Sequence, residues 1–265
     1  MVRVGRGTLK KLGIIQGRLS PPIEGFQECP VEWKKEFELL PKLGLEHIEW
    51  IITKNSLKTN PILFEELNEH PVSSICLDNL VDYDFHDKKY LNRNLKPFCE
   101  LAIKNDIKRI AIPLLEKSSI VDDRLRLKFC NNIKEYSQTY SDLDFLFEVE
   151  ANSKKLIDLL SIADNFYVTY DTGNITSCGF NHKEYISNVY DRIKNVHLKD
   201  RTYEAVTVPP PSGDTNFKLI FNILKEKMYN DLYTLQTARE TSGEEYTTIQ
   251  KHKNILMREY NEQPF

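Results

Sequence analysis

Eight short apolar runs, each separated from the next by a longer amphipathic stretch, constrain this chain more than any other feature of its sequence. They cover 12–16, 45–51, 72–77, 109–113, 144–148, 166–171, 193–198 and 232–236. Each is rich in Ile, Val, Leu, Phe or Tyr and bounded by polar or breaker residues, as strands buried on both faces are. Between them, apolar residues recur at helical spacing: Trp33, Phe37, Leu40 and Leu43; Leu91, Leu95, Phe98 and Ala102; Leu125, Phe129, Ile133 and Tyr136; Phe217, Ile220, Leu224 and Met228. Further helices are expected over 61–69, 153–162, 183–189 and 243–260, with starts signalled by Ser153 and by Asp214 or Thr215. Eight strand–helix alternations in about 250 residues match the count and length of a closed (β/α)8 barrel. The competing architecture is a doubly wound open sheet. It has fewer strands as a rule, and no Gly-x-Gly-x-x-Gly follows any run. The chain therefore reads as one α/β domain, a single (β/α)8 TIM barrel over 1–265 with its site at the C-terminal face of the strands. Residues 1–10 read as a flexible N-terminal extension.

Composition removes several classes of function. Thirty-six Lys and Arg against 39 Asp and Glu leave a formal charge of −3, without the basic excess that nucleic-acid binding needs. No run approaches the ~20 apolar residues of a membrane span. The basic start, Met1 to Lys11, is followed by only Leu12 to Ile15 before Gln16, too little for a secretory signal, so the expected location is the cytoplasm. Five widely spaced cysteines with no Cys-x-x-Cys pair argue for reduced, buried thiols.

The chemistry is written at the ends of the runs. A strand buried on both faces has no reason to finish in a charged residue unless that residue reaches a site. The first run ends at Gln16, followed by Arg18; the second carries Glu49; the third is followed by Asp78. The fifth ends in Glu148 and Glu150, the sixth in Asp171, the seventh in His197, Lys199, Asp200 and Arg201, and the eighth in Gln236 and Arg239. A lone strand-end acid ordinarily caps the next helix or completes an ion pair. In a closed barrel, however, Glu148, Asp171 and His197 converge from three consecutive strands, and two carboxylates with one imidazole suit an open divalent-metal site. Gln236, one strand further, offers an amide oxygen as a fourth ligand. Such a cation polarises a carbonyl so that a neighbouring proton is removed more easily.

These residues resemble the sugar phosphate isomerase/epimerase family of xylose-isomerase-like barrels, over nearly the whole chain. The matching segments are Gly13-Ile14-Ile15-Gln16-Gly17-Arg18-Leu19-Ser20, Ile48-Glu49-Trp50, Ser73-Ser74-Ile75-Cys76, Tyr170-Asp171-Thr172-Gly173-Asn174 and Val196-His197-Leu198-Lys199-Asp200-Arg201. The resemblance implies a divalent cation (Mn2+, Mg2+, Co2+ or Zn2+) held by Glu148, Asp171 and His197, with a final family glutamate falling on Gln236. It also implies two glutamates that exchange protons with a sugar on opposite faces. Gln236 departs from that pattern, because a carboxamide ligates a cation but carries no proton near neutral pH. Three outcomes stay open: Glu49, Glu150 or Lys199 replaces the missing base; the reaction needs one base, as in isomerisation or dehydration; or the barrel binds sugar without catalysis.

The leading expectation is a metal-dependent isomerase or epimerase of a small carbohydrate or sugar phosphate. Glu148, Lys199 and Glu49 are then the catalytic candidates, and Gln16, Arg18, Glu150, Arg201 and Arg239 the substrate-binding ones. Segment 212–215, before the penultimate helix, is a candidate phosphate cradle that Asp214 opposes. Trp50, Tyr83 and Tyr170 are candidate stacking faces. The expected partner is a small-molecule sugar, with no nucleic acid and no membrane, and with pairing of two barrels as the expected assembly. A remote alternative is an endonuclease-like metal hydrolase. It needs many histidines at strand ends, where only His197 stands.

Overall fold

The computed structural model describes residues 9–23, 28–81 and 85–262. All eight runs form parallel strands that close on themselves. The barrel strands are β1 (Leu12–Ile15), β2 (Ile48–Ile51), β3 (Val72–Cys76), β4 (Arg109–Leu114), β5 (Asp144–Val149), β6 (Phe166–Asp171), β7 (Ile193–Leu198) and, after a small antiparallel hairpin of β8 (Asp200–Arg201) and β9 (Thr207–Val208), β10 (Leu232–Leu235). Their order round the barrel is β1-β10-β7-β6-β5-β4-β3-β2. This is the (β/α)8 TIM barrel that the alternation predicts, with every strand end delivered to one face.

The helices are α1 (Trp33–Leu43), α2 (Lys88–Asn94), α3 (Lys96–Lys104), α4 (Asp123–Thr139), α5 (Ser153–Leu160), α6 (Thr172–Ser177), α7 (His182–Val189), α8 (Phe217–Glu226) and α9 (Glu245–Asn261). Their apolar stripes pack on the outer faces of the strands. Phe129 of α4, for example, meets Phe147 of β5 edge-on at 6.0 Å, and Phe147 meets Phe166 of β6 at 5.0 Å. Buried rings of this kind contribute roughly 1.5–3 kcal/mol each from apolar area alone.

Three local expectations change. The helix expected over 61–69 shrinks to one 3-10 turn, Pro61–Leu63, whose start Asn60 caps by accepting from the Ile62 amide. The Asn60 side chain also accepts from Trp50 Nε1, so tertiary contacts fix this loop more than helix propensity does. The helix expected to begin at Ser153 is capped by Asn152, and α8 is capped by Asn216 rather than Asp214 or Thr215. Asp214 is occupied by the Tyr203 amide instead. Of the expected extension, residues 1–8 lie outside the described residues, while Leu9 packs in the core at 5% exposure. No helix among the described residues is long and apolar enough to cross a membrane.

One buried histidine links packing to pH. His182, at the start of α7, is bonded to the Tyr170 hydroxyl through Nδ1 and to Thr176 Oγ1 through Nε2. Burial pushes its pKa down to about 4, because the charged ring cannot be solvated there. An imidazole that is harder to protonate folded than unfolded gives stability that is complete above its unfolded pKa. That stability is lost as pH falls through the window from about 6.5 to about 4. The loss expected from this residue is about 3 kcal/mol. Urea unfolding at pH 7 and pH 4.5 checks it: His182→Gln should lose much less stability on acidification than the wild type, and equal losses would contradict the assignment.

Candidate metal centre at the barrel mouth

The interior of the barrel is polar where apolar packing would be expected, and that network builds the site. Asn195 and His197, two residues apart on β7, share one face of their strand. Glu49 reaches them from β2. Its Oε1 lies 2.9 Å from His197 Nε2, and its Oε2 accepts from Asn195 Nδ2 and Ser74 Oγ, both at 2.8 Å. Asn195 Oδ1 in turn accepts from Thr234 Oγ1 of β10. Burial alone would raise the Glu49 carboxyl, but His197 and the Ser74 hydroxyl hold it below the usual carboxylate range. The ionised carboxylate thus fixes the imidazole with Nε2–H toward Glu49, leaving Nδ1 to look the other way.

On that side stand two acids. β6 and β7 pair with Asp171 opposite His197. His197 Nδ1 lies 3.4 Å from Glu148 Oε2 and 3.8 Å from Asp171 Oδ2. Donor atoms of Glu148, Asp171 and His197 all lie within 4.8 Å of one another, and all three residues are buried. Burial disfavours charge on His197, yet Glu49 and Glu148 together raise its pKa to about 10. Burial would also raise Asp171, but Lys199, whose Nζ is 2.8 Å from Oδ2, and His197 hold it below the usual range.

The donor set fits a divalent cation. Beyond the ion pair of Asp171 Oδ2 with Lys199, neither that oxygen, His197 Nδ1 nor Gln236 Oε1 has a hydrogen-bond partner among the described residues, although all three atoms are buried. Buried polar atoms left without hydrogen-bond partners are costly. Two carboxylate oxygens and an imidazole nitrogen within 4.8 Å of one another, with the Gln236 amide lining the same cavity as Glu148, are a donor set that a Mn2+-, Mg2+-, Co2+- or Zn2+-type ion takes up.

Above these residues opens a cavity of about 370 Å³, lined from the ends of seven of the eight barrel strands and including Asp78, Glu148, Lys199 and Gln236. The structure therefore gathers Glu148, Asp171, His197, Lys199 and Gln236 in one place. It sets other candidates elsewhere. Glu49 is fully buried behind His197 with both oxygens engaged, so it orients the imidazole and has no path to a substrate proton. Gln16, 1% exposed, spends its amide oxygen on the Ile51 backbone. Arg18 is 2% exposed, and burial, with Arg239 nearby, pulls its pKa to about 9. Arg239 donates to the carbonyls of Ser20 and Gly17, while Glu36 accepts from the Gly17 and Leu19 amides. This cluster ties down the loop after β1 and does not line the mouth. Arg201 and Glu150 pair with each other at 2.9 Å. The amides of Gly213 and Thr215 donate to Asp200, which leaves no phosphate cradle there. Trp50 and Tyr170 are core side chains at 0% and 1% exposure, and Tyr83 lies outside the described residues.

Two positions escaped the sequence reading. Asn195 was legible in principle, because a polar residue two places before His197 occupies the same strand face. Asn174, three residues after Asp171, donates from Nδ2 to Glu148 Oε1 at 2.7 Å and from its backbone N to Asp171 Oδ1 at 2.8 Å. Nothing in its spacing distinguishes that role from a helix-turn residue.

No protein-family model matches the chain. Over 110 residues, 34% of the chain, it is 27% identical to an inosose dehydratase of Clostridium botulinum (strain Eklund 17B / Type B). That match spans 37% of the relative's length. Among solved structures, the IolI protein with a bound zinc atom superimposes with a TM-score of 0.68 at 16% identity, covering 96% of this chain and 100% of that one. The 3-keto-D-glucoside 4-epimerase YcjR of E. coli gives 0.68 at 15% identity, covering 93% and 98%. Other structures of the same likeness are xylose isomerase-like barrels. At these identities the likeness is one of fold: the chain shares the (β/α)8 barrel of these proteins, and a candidate metal centre lies at its mouth.

Two outcomes follow from the Glu49–His197 pair. Glu49→Gln should weaken Mn2+ binding about 10- to 100-fold by freeing the imidazole to turn. In the cation-free site His197 holds its proton up to a pH of about 10. A cation must displace that proton, so affinity should rise with pH across the neutral range, with about one proton released per ion. Calorimetry in buffers of different ionisation enthalpy counts it, and zero protons released would contradict the arrangement.

Proposed function

We propose that the chain is a divalent-cation-dependent enzyme that removes a proton next to the carbonyl of a small polyhydroxylated ketone, and that loss of water from this ketone is its reaction. The observation that carries this reading is the buried trio of Glu148, Asp171 and His197, with Glu49 behind the imidazole and Lys199 beside the carboxylate. Glu148, Asp171, His197 and the Gln236 amide would hold the cation. When bound, the cation would polarise the substrate carbonyl and stabilise the enolate oxygen.

The chain's own proton inventory selects among reactions. Glu49 is enclosed, and Glu150 is paired with Arg201 away from the cavity lining. Glu148 Oε1 is taken by Asn174. Gln236 moves no proton near neutral pH. Of the titratable groups lining the cavity, Lys199 is the one whose Nζ stands 2.8 Å from Asp171 of the trio, and it is assigned as the proton carrier. Inverting a carbon needs a second donor on the opposite face. Losing water from a β-hydroxy ketone needs one carrier. Lys199, paired with Asp171 as an ammonium, must first give one proton to solvent. The C–H proton then passes to the neutral Nζ, the C–O bond breaks as the C=C bond forms, and the hydroxyl takes that proton from Nζ and leaves as water. A dehydratase among the relatives and a keto-sugar epimerase among the fold neighbours support a carbohydrate-like ketone. The five cysteines, all free, agree with action in the cytoplasm.

Incubation with keto-sugars and inososes in deuterated water, with and without Mn2+, tests this. Proton magnetic resonance should show exchange of the C–H next to the carbonyl, accompanied by enone absorbance, only with the metal. Lys199→Met should lower both about 10²- to 10⁴-fold, and Gln236→Glu should add epimerised product. Full activity in Lys199→Met would remove the carrier assignment. Binding of sugar without any exchange would leave a carbohydrate-binding barrel.

A further inference from the structure

We propose that Arg201 is a positioning residue that sets the cation site by locking the side-chain amide of Asn174; the idea rests on the cation reading above. An asparagine amide is an acceptor at one end and a double donor at the other, and the two orientations have nearly the same shape. In this protein both ends are dictated. Glu148 Oε1, a carboxylate oxygen that only accepts, receives Nδ2–H at 2.7 Å. Arg201 Nη1, a guanidinium nitrogen that only donates, faces Oδ1 at 2.8 Å. Turning the amide over would set oxygen against oxygen at one end and N–H against N–H at the other. Arg201 thereby selects the orientation that serves Glu148.

The guanidinium is itself held. It pairs with Glu150 Oε1 at 2.9 Å, and its Nε and Nη2 donate to the Ala205 carbonyl in the hairpin loop at 3.2 and 2.8 Å. Its path crosses the first turn of α6, where Gly173 leaves room for it. A Cβ on Gly173 would stand 2.9 Å from Arg201 Cγ and 3.0 Å from Lys199 Cγ. The glycine of the Asp171-Thr172-Gly173-Asn174 segment is therefore a clearance for two side chains of the next strand end.

The consequence falls on the carboxylates. Asn174 holds Asp171 Oδ1 with its backbone N–H and Glu148 Oε1 with its side chain. One oxygen of each acid is spent on the same residue, which leaves Glu148 Oε2 and Asp171 Oδ2 as the pair facing His197 Nδ1. The Arg201–Asn174 relay decides which oxygens are presented.

Mn2+ titration by calorimetry on the full chain tests the relay, for the wild type, Arg201→Ala, Asn174→Ala and the double variant. Each single variant should weaken Mn2+ about 10- to 100-fold. The double variant should be no weaker than Asn174→Ala alone, because Arg201 acts through the amide. Arg201→Lys, which keeps one donor for Oδ1, should recover part of the loss. Arg201→Met, which fills much of the same space without any donor for Oδ1, should reproduce the weakening and serves if Arg201→Ala does not fold. Additive losses, or unchanged affinity in the single variants, would overturn the relay while leaving the cation site. A wild type that binds no Mn2+ would overturn the cation reading and the relay together.

Discussion

The contact between Glu49 and His197 governs the rest of this site. It runs across the barrel interior from β2 to β7 and is fully buried at both ends. An isolated carboxylate in such a place would be protonated or expelled. Here it survives because the imidazole, an amide and a hydroxyl each supply a donor. In return the carboxylate decides which imidazole nitrogen faces the mouth. Every other ligand is placed relative to that nitrogen, including Asp171 on the neighbouring strand and Glu148 one strand beyond.

Such an interior is a poor way to stabilise a barrel. Apolar residues of equal volume at the positions of Glu49, Asn195 and His197 would avoid the desolvation of buried charge, and replacing buried ion pairs in this way is often neutral or stabilising. The outer faces of the same strands do the conventional packing, with rings such as Phe129, Phe147 and Phe166 in edge-on contact. The division of labour is physical: helices against the outside provide stability, and the polar inside provides a preorganised set of acceptors whose full satisfaction requires an added cation. Lys199 adds a positive charge beside this set by pairing with Asp171.

Much of this was readable from the sequence. Strand periodicity located all eight barrel strands to within a few residues, since buried parallel strands are continuous apolar runs with sharp ends. The breaks in periodicity, acids and a histidine where apolar residues were due, located Glu148, Asp171 and His197. What the sequence hid is direction. Glu49 and Glu148 look alike as strand-end acids, yet one points into the closed interior and the other toward the cavity. Arg18, Arg201 and Arg239 follow strand ends, yet their guanidiniums turn to carbonyls, acids and an amide within the fold. The short helix α6 begins directly after Asp171, which ends β6 and caps the helix, so its role in setting Asn174 between two carboxylates has no periodic signature.

The central claim is that one ion is shared by the acids of β5 and β6 and the imidazole of β7. The direct measurement is anomalous X-ray diffraction from crystals of the protein grown with Mn2+. The account predicts a single strong peak at the barrel mouth, at about 2.0–2.3 Å from Glu148 Oε2, Asp171 Oδ2 and His197 Nδ1. A crystal saturated with Mn2+ that shows no peak between those three atoms, or that places the ion on other residues, would contradict it.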